Sequence, residues 1–506
     1  QTNRRKTTAE QASNAYGVTS LSLPVLNPAD RHSSASTRQS WIFNALSAFL
    51  RWRHARTVLQ IPLLILAMVV IFDGLCGPQI SPLNLAGVLP WIHWRGMVVL
   101  GLLAVGNVSC MACPFTLPRR LARRWLPQGR SWPRALQSKW LAVVLIGLFL
   151  WAYEAFALWD SPWWTAWIAI GYFVAAFAVD GFFRGASFCK YVCPIGQFNF
   201  VQSLVSPLEV RVRDPEICTT CRSKDCIRGR GSIPGCELDL FQPRKSGNMD
   251  CTFCLDCVQA CPHANVGLLA SAPGSQLWHD RFRSGVGQLG KRPDVAALVV
   301  LLVFGSFANA AGMVRPVVEW QQRAQVALGL PPRTIVTVYY LLALVVIPLA
   351  MMWLVSTAAR HWARLPSTWI ELVTRYSYAL VPLALGMWLA HYSFHLLTSY
   401  EAVVPAAQRF ATDLGVIDFG NLHLKCSCCA APIAKWLLRA ELTFLACGFL
   451  LSLYTAYRTA LADRPSSRQA LMAYLPWSVL LVQLYALGVW IVFQPMQMRG
   501  STMMGW

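Results

Sequence analysis

Acidic residues are scarce in this sequence: 23 Asp and Glu stand against 44 Lys and Arg in 506 residues, and charge of either sign makes up only 13%. So little charge excludes a self-solvating disordered chain. A mean hydropathy of +0.43 is too high for a soluble globular protein of this length. There is no G-x-x-x-x-G-K-[ST] loop and no dinucleotide fingerprint, which disfavours ATP-driven transport and direct NADH oxidation. No catalytic triad or carboxylate pair can be argued from spacing, so an enzyme label would rest on a partner complex. No cleavable signal peptide is visible. The net charge of +21, on a chain that is 55% apolar, is read as loops facing anionic lipid, and no nucleic-acid partner is expected.

What is present is a series of apolar stretches of bilayer length. Nine are expected, near Val58–Phe72, Val88–Val108, Trp140–Leu158, Trp163–Phe183, Val295–Val314, Thr334–Val355, Tyr376–Leu397, Leu437–Tyr457 and Leu471–Phe493. Basic residues crowd alternate loops: Arg51, Arg53 and Arg56 before the first span, and Arg119 through Lys139 after the second. By the positive-inside rule the N-terminus lies in the cytoplasm and the C-terminus outside, in a bacterial inner membrane. Residues 1–50 read as a disordered cytoplasmic tail and 51–183 as a four-helix membrane core. A cytoplasmic insert at 184–294 is followed by three spans at 295–397, an outer loop at 398–435, two spans at 436–493 and an outer Met-rich tail at 494–506. The expected fold is a multi-pass α-helical membrane protein of about nine spans with an inserted two-cluster ferredoxin-like 4Fe–4S domain.

Seventeen cysteines are too many for packing alone, and they cluster. Cys251-x2-Cys254-x2-Cys257-x3-Cys261-Pro262 is the C-x2-C-x2-C-x3-C-P run of bacterial ferredoxins, in which the fourth Cys ligates the other cluster. Upstream stand Cys218, Cys221, Cys226 and Cys236 in an expanded version of the same pattern. By the swapped-ligand rule one 4Fe–4S cluster takes Cys218, Cys221, Cys226 and Cys261, and the second takes Cys251, Cys254, Cys257 and Cys236. A zinc knuckle beside a single cluster is the alternative for the upstream group.

Two further pairs, Cys110-Met-Ala-Cys113-Pro114 and Cys189-Lys-Tyr-Val-Cys193-Pro194, fall where spans two and four meet the cytoplasm. With these, the stretch from Val58 to Ala270 resembles the NosR/NapH/CcoG type of membrane polyferredoxin, which carries Cys-x3-Cys-Pro motifs at helix ends and a two-cluster domain after a four-helix core. The resemblance implies electron transfer between the quinone pool or cytoplasmic donors and a partner at the outer face. The first pair departs from that pattern in having two intervening residues, and no flavin-binding domain of the NosR kind is present. The four membrane-edge cysteines have two open readings: ligands of a third cluster, or helix-end thiols that are free or redox-active.

The later spans bring other candidate metal ligands. His391 and His395, four apart on one helical face, suit a haem, a metal or quinol deprotonation, with His93 as the opposing haem ligand, or are simply hydrogen-bonded interfacial histidines. His423, Cys426, Cys428 and Cys429 suit Cu(I) or another cluster, with disulfides, one including Cys76, as the alternative. Met496, Met498, Met503 and Met504 suit Cu(I) or packing against a partner subunit. Glu154, Asp180 and the Arg439/Glu441 pair are candidates for proton movement, with ion pairing the alternative for Arg439 and Glu441. The leading expectation is a respiratory redox subunit passing single electrons between cytoplasmic-side clusters, the quinone pool and an outer-face cytochrome or cuproenzyme. The alternative is a copper-reducing or copper-handling assembly factor for an outer-face cuproenzyme.

Overall fold

A computed structural model describes residues 48–126, 129–416, 435–462 and 466–496. The chain divides into two units, Gln1–Leu50 and Arg51–Trp506. Only residues 48–50 of the first are described, and they are helical. The expected tail at 1–47, the His423–Cys429 group and Met498, Met503 and Met504 lie outside the described residues.

The second unit is built from helices α1 (Ala55–Cys76), α2 (Arg95–Val105), α3 (Trp140–Ala155), α4 (Pro162–Phe182), α5 (Pro194–Gln202), α6 (Pro293–Ala311), α7 (Pro332–Leu341), α8 (Ile347–Trp362), α9 (Val381–Thr398), α10 (Lys435–Ala462) and α11 (Ser467–Phe493), joined by turns and by connecting helices such as Arg315–Leu328 and Val403–Asp413. Proline opens several of them, at the position where the missing N–H costs nothing. Ser161 and Ser466 cap α4 and α11 by accepting from the Trp164 and Gln469 amides.

Eight helical stretches among the described residues are long and apolar enough to cross a membrane. The third expected span is the exception. Helix α3 has 16 residues, about 24 Å of rise against the roughly 30 Å of a hydrocarbon core. It is cut short by Lys139, which is drawn into polar contacts at one end, and by Ala157 at the other, whose φ of 44° is left-handed. The inside-outside assignment from nine crossings therefore depends on this one short helix.

Burial separates the helices into two classes. In α6 and in the Trp369–Thr398 stretch that contains α9, 89% and 78% of the most apolar segment is buried; in the other six stretches it is 28–39%. The first two form the centre, and the rest present apolar faces outward, as lipid-facing helices do. Helices α9 and α10 cross at two glycines. A Cβ on Gly386 would sit 2.6 Å from the Phe444 carbonyl oxygen, and one on Gly448 2.5 Å from that of Pro382. Small residues at such a crossing let backbones touch, which in lipid is a main source of helix association. Ser452 completes the contact by accepting from the Leu383 amide at 3.0 Å, a donor that the start of α9 leaves without a helical partner.

Between α4 and α6 the chain forms one antiparallel strand pair, β1 (Leu208–Val212) with β2 (Val266–Ala270), in register from Leu208 opposite Ala270 to Val212 opposite Val266. The pairing closes a loop that contains all eight cysteines from Cys218 to Cys261. Replacing Gly448 by Leu should force α9 and α10 apart and destabilise the bundle by about 1–3 kcal/mol, read as a lower melting temperature in detergent. A substitution to Leu at Gly147, where a Cβ meets nothing within 4 Å, should leave it unchanged.

Candidate metal centre

The eight cysteines of the closed loop separate into two groups. Cys218, Cys221, Cys226 and Cys261 line one cavity, together with Phe241 and Asn265. Burial, then the neighbouring thiols, raises the Cys226 thiol above its ordinary range, and Cys261, Cys218 and Cys221 are those neighbours. Cys236, Cys251, Cys254 and Cys257 form the second group. Burial pushes Cys236 up to about 11, with Cys251 adding to it. Cys254 is raised by burial, then by Asp256, Cys236 and Cys257, and Cys257 by burial, then by Cys236 and Cys251. The first group is open to solvent at Cys218, Cys221 and Cys261, whereas the second is buried throughout.

Backbone geometry explains how so many sulfurs are supplied with donors. Among the described residues eight non-glycine residues have positive φ, and six of them fall in the loop: Lys224, Asp239, Asp250, Phe253, Leu255 and Ala264. Each left-handed residue costs free energy unless its surroundings hold it. Such turns aim successive N–H groups into a concavity that favours negative charge. The Phe253 amide donates to the sulfur of Cys251, the Leu238 and Leu240 amides to Cys236, and the Gln242 amide to Cys226. Asn265 donates its backbone N–H to Cys261 and its side-chain Nδ2 to Cys218, each at 3.4 Å. Lys245 and Arg56 add positive charge beside Cys251 and Cys254. A neutral thiol is a weak acceptor. This density of donors suits sulfur that carries charge, so the donor set fits thiolates bound to metal.

Among the described residues no three or more His, Cys, Asp or Glu converge closely enough to grip a single metal ion. The thiols of each group are neighbours without touching one point.

The membrane-edge cysteines occupy the junction of this loop with the helices. Cys113 is anchored through its carbonyl, which accepts from Gln60 of α1 at 2.8 Å. Cys189 lies in a π-helical turn at Phe188–Val192, and Cys193 caps α5, its sulfur accepting from the Gly196 amide at 3.2 Å. No disulfide joins any described cysteine; Cys76 is free and exposed.

Sequence reading missed the polar seam that holds this junction. Arg119 and Lys139, taken as part of a lipid-facing basic loop, are both buried. Arg119 pairs with Asp180 at 2.7 Å and with Glu237 at 2.5 Å, and Arg123 also pairs with Glu237. Asp180 is thus an ion-pair partner, and it also accepts from the Phe188 amide at 2.9 Å. Burial alone would raise the Glu237 carboxyl, but Arg119 and Arg123 beside it bring it down to about 2. Lys139 pairs with Asp250 at 2.6 Å and donates to the Lys190 carbonyl at 2.7 Å. The lone Asp180 at the end of an apolar span was the available signal, because an intramembrane carboxylate requires a partner.

The histidines fall elsewhere. His391 and His395 are buried on α9 with ring centroids 4.8 Å apart and planes perpendicular. His93 stands apart from them by its hydrogen bond. Its Nε2 lies 2.9 Å from the Tyr400 carbonyl oxygen. A carbonyl can only accept, so that nitrogen carries the proton, and Nδ1 is buried without a hydrogen-bond partner.

No family model matches the chain, and no solved structure matches it. One similar protein is the Escherichia coli protein named "Putative electron transport protein YccM", 34% identical over 95 residues, which is 18% of this chain and 24% of that protein. Another is an uncharacterized protein of Methanocaldococcus jannaschii, 30% identical over 88 residues, 17% of this chain and 32% of that one. The matched stretch therefore spans about a quarter and about a third of these relatives.

The seam generates a stability prediction. Lys139→Met leaves the Asp250 carboxylate buried without its cation and should cost about 3–5 kcal/mol. Adding Asp250→Asn should restore part of the loss in a thermal melt of the purified protein, as coupled partners do.

Proposed function

We propose that this chain is a membrane-bound iron–sulfur electron-transfer subunit. Cys218, Cys221, Cys226 and Cys261 would hold one 4Fe–4S cluster, and Cys236, Cys251, Cys254 and Cys257 a second. The observation that carries the reading is the crossed grouping of the thiols, Cys261 with the upstream three and Cys236 with the downstream three, with N–H donors beside Cys218, Cys226, Cys236, Cys251 and Cys261. When bound, such clusters take up and release single electrons without breaking bonds. The relative's printed name, an electron transport protein, supports the same general role.

The protein's own residues set the terms of that transfer. N–H groups on the sulfurs stabilise added negative charge and so raise the reduction potential. The partly exposed first group lies where a soluble donor can approach, with Lys224 and Asp225 both lining its cavity. The buried second group excludes water. Electrons would pass from the first group through the second toward the membrane helices, the quinone pool and a redox subunit, cytochrome or cuproenzyme on the outer face. No described residue favours the copper-handling alternative, whose His423–Cys429 ligands lie outside the described set.

Cys236→Ser and Cys254→Ser should each remove the same electron paramagnetic resonance signal and about four irons and four sulfides. Cys221→Ser and Cys261→Ser should each remove the other signal. Bound zinc without acid-labile sulfide in the wild-type protein would overturn the reading. Arg51, Arg53 and Arg56 at the start of α1 support a cytoplasmic loop. An impermeant thiol reagent applied to sealed cells should therefore miss Cys218 and Cys221 in metal-depleted protein, and labelling from outside would invert the topology.

A further inference from the structure

The four membrane-edge cysteines form a group of their own. Each of the six pairs among Cys110, Cys113, Cys189 and Cys193 lies within electrostatic reach, so every thiol feels the other three. Two come from the end of α2 and two from the turn that follows α4, more than 70 residues later in the chain. Only the tertiary structure brings them together.

Their surroundings are those of charged sulfur. Asn199 Nδ2 donates to Cys110 at 3.1 Å, Arg119 Nη2 to Cys189 at 3.4 Å and the Gly196 amide to Cys193 at 3.2 Å. The Phe115 and Thr116 amides point at Cys113. Arg56 lies within reach of Cys110, Cys113 and Cys189, and its Nε is buried with no hydrogen-bond partner. Phe115, Tyr172 and Phe188 pack against one another beside the thiols, closing that side with aromatic rings. Four neutral packing thiols would need neither two guanidinium groups nor this set of donors. Four metal-bound thiolates would need both.

The backbone repeats the pattern of the loop. Cys113 has φ −61° and ψ 118°, and Cys193 has −64° and 111°. These match Cys261 at −64° and 114° and Cys221 at −68° and 112°. Proline after Cys113, Cys193 and Cys261 favours such an extended corner, but Cys221 adopts it with Arg222 following. As in the two loop groups, the four thiols do not converge on one point suited to a single ion.

We propose that Cys110, Cys113, Cys189 and Cys193 hold a third iron–sulfur cluster, a cubane at the boundary between the cysteine loop and the membrane helices. It rests on the reading of the chain as an iron–sulfur protein and adds a site to it. The new site adjoins the second loop group. Asn107, three residues before Cys110, donates to the Cys251 carbonyl at 2.6 Å, and Arg56 faces both Cys254 and the membrane-edge thiols. One electron lost by the cluster of Cys236 and Cys251 would reduce this third cluster by one, with no bond formed or broken.

Iron and acid-labile sulfide in anaerobically purified full-length protein test the site. About 12 of each per chain are expected, falling to about 8 in Cys110→Ser/Cys193→Ser with both loop signals intact. About 10 of each would make the third cluster a two-iron one on the same ligands and would support the ligand set. Asn199→Ala keeps all four thiols and should lower the midpoint potential of one signal alone, because it removes an N–H bond to a ligand sulfur. That variant tests the site even where the double variant fails to fold. Wild-type protein with about 8 irons, whose Cys110 and Cys193 are alkylated without loss of iron, would overturn the inference while leaving the two-cluster reading intact. About 4 irons, lost only on replacing membrane-edge cysteines, would overturn the two-cluster reading and support this one.

Discussion

The buried guanidinium of Arg119 ties the parts of this protein together. It reaches Asp180 at the end of α4, Glu237 next to Cys236 and the sulfur of Cys189. A cation in that position is tolerable only because two carboxylates flank it, and those carboxylates are tolerable only because of the cation. The contact therefore locks one helix end, one cysteine loop and one membrane-edge turn into a single arrangement. Lys139 does the same from α3, binding Asp250 and the Lys190 carbonyl. In the proposed electron-transfer role, rigidity at this junction would keep the separations between carriers fixed.

The chemistry of the loop follows from backbone conformation more than from side chains. Phe253 and Leu255, both large and both left-handed, are unusual choices for that conformation. They are held because Phe253 and Leu255 are almost fully buried, so packing supplies what the torsion angles cost. The return is an N–H directed at Cys251 from Phe253 itself. The ring of Phe253 also reaches the helix end, where a Cβ on Gly106 would lie 3.0 Å from it. The same side chain thus shapes the loop and seats it on α2.

The membrane part separates support from scaffold. Helices α6 and α9 are enclosed by the others, and α9 meets α10 through glycine contacts that hydrophobicity alone would not produce. Arg95, in α2, lies 4.4 Å from the ring centroids of both Trp91 and Tyr153, a cation kept among aromatic faces within an apolar stretch. Buried histidines on α9 complete a polar interior on the side away from the cysteines.

The sequence by itself determined the helices that fit a bilayer and marked out the cysteine-rich loop, because length, hydropathy and thiol spacing are local properties. Cys251, Cys254 and Cys257 lie within seven residues, so their grouping needs no fold to be read. Spacing could not say that α3 stops short, since its boundaries depend on where Lys139 finds a carboxylate. It could not separate Arg119, a buried ion-pair partner, from the exposed basic residues around it. It left the four membrane-edge cysteines with two open readings, ligands of a third cluster or helix-end thiols. Only the tertiary structure brought Cys110 and Cys113 beside Cys189 and Cys193 and tied His93 to the Tyr400 carbonyl, because contacts between residues far apart in the chain are decided by packing and by the pairing of buried charge.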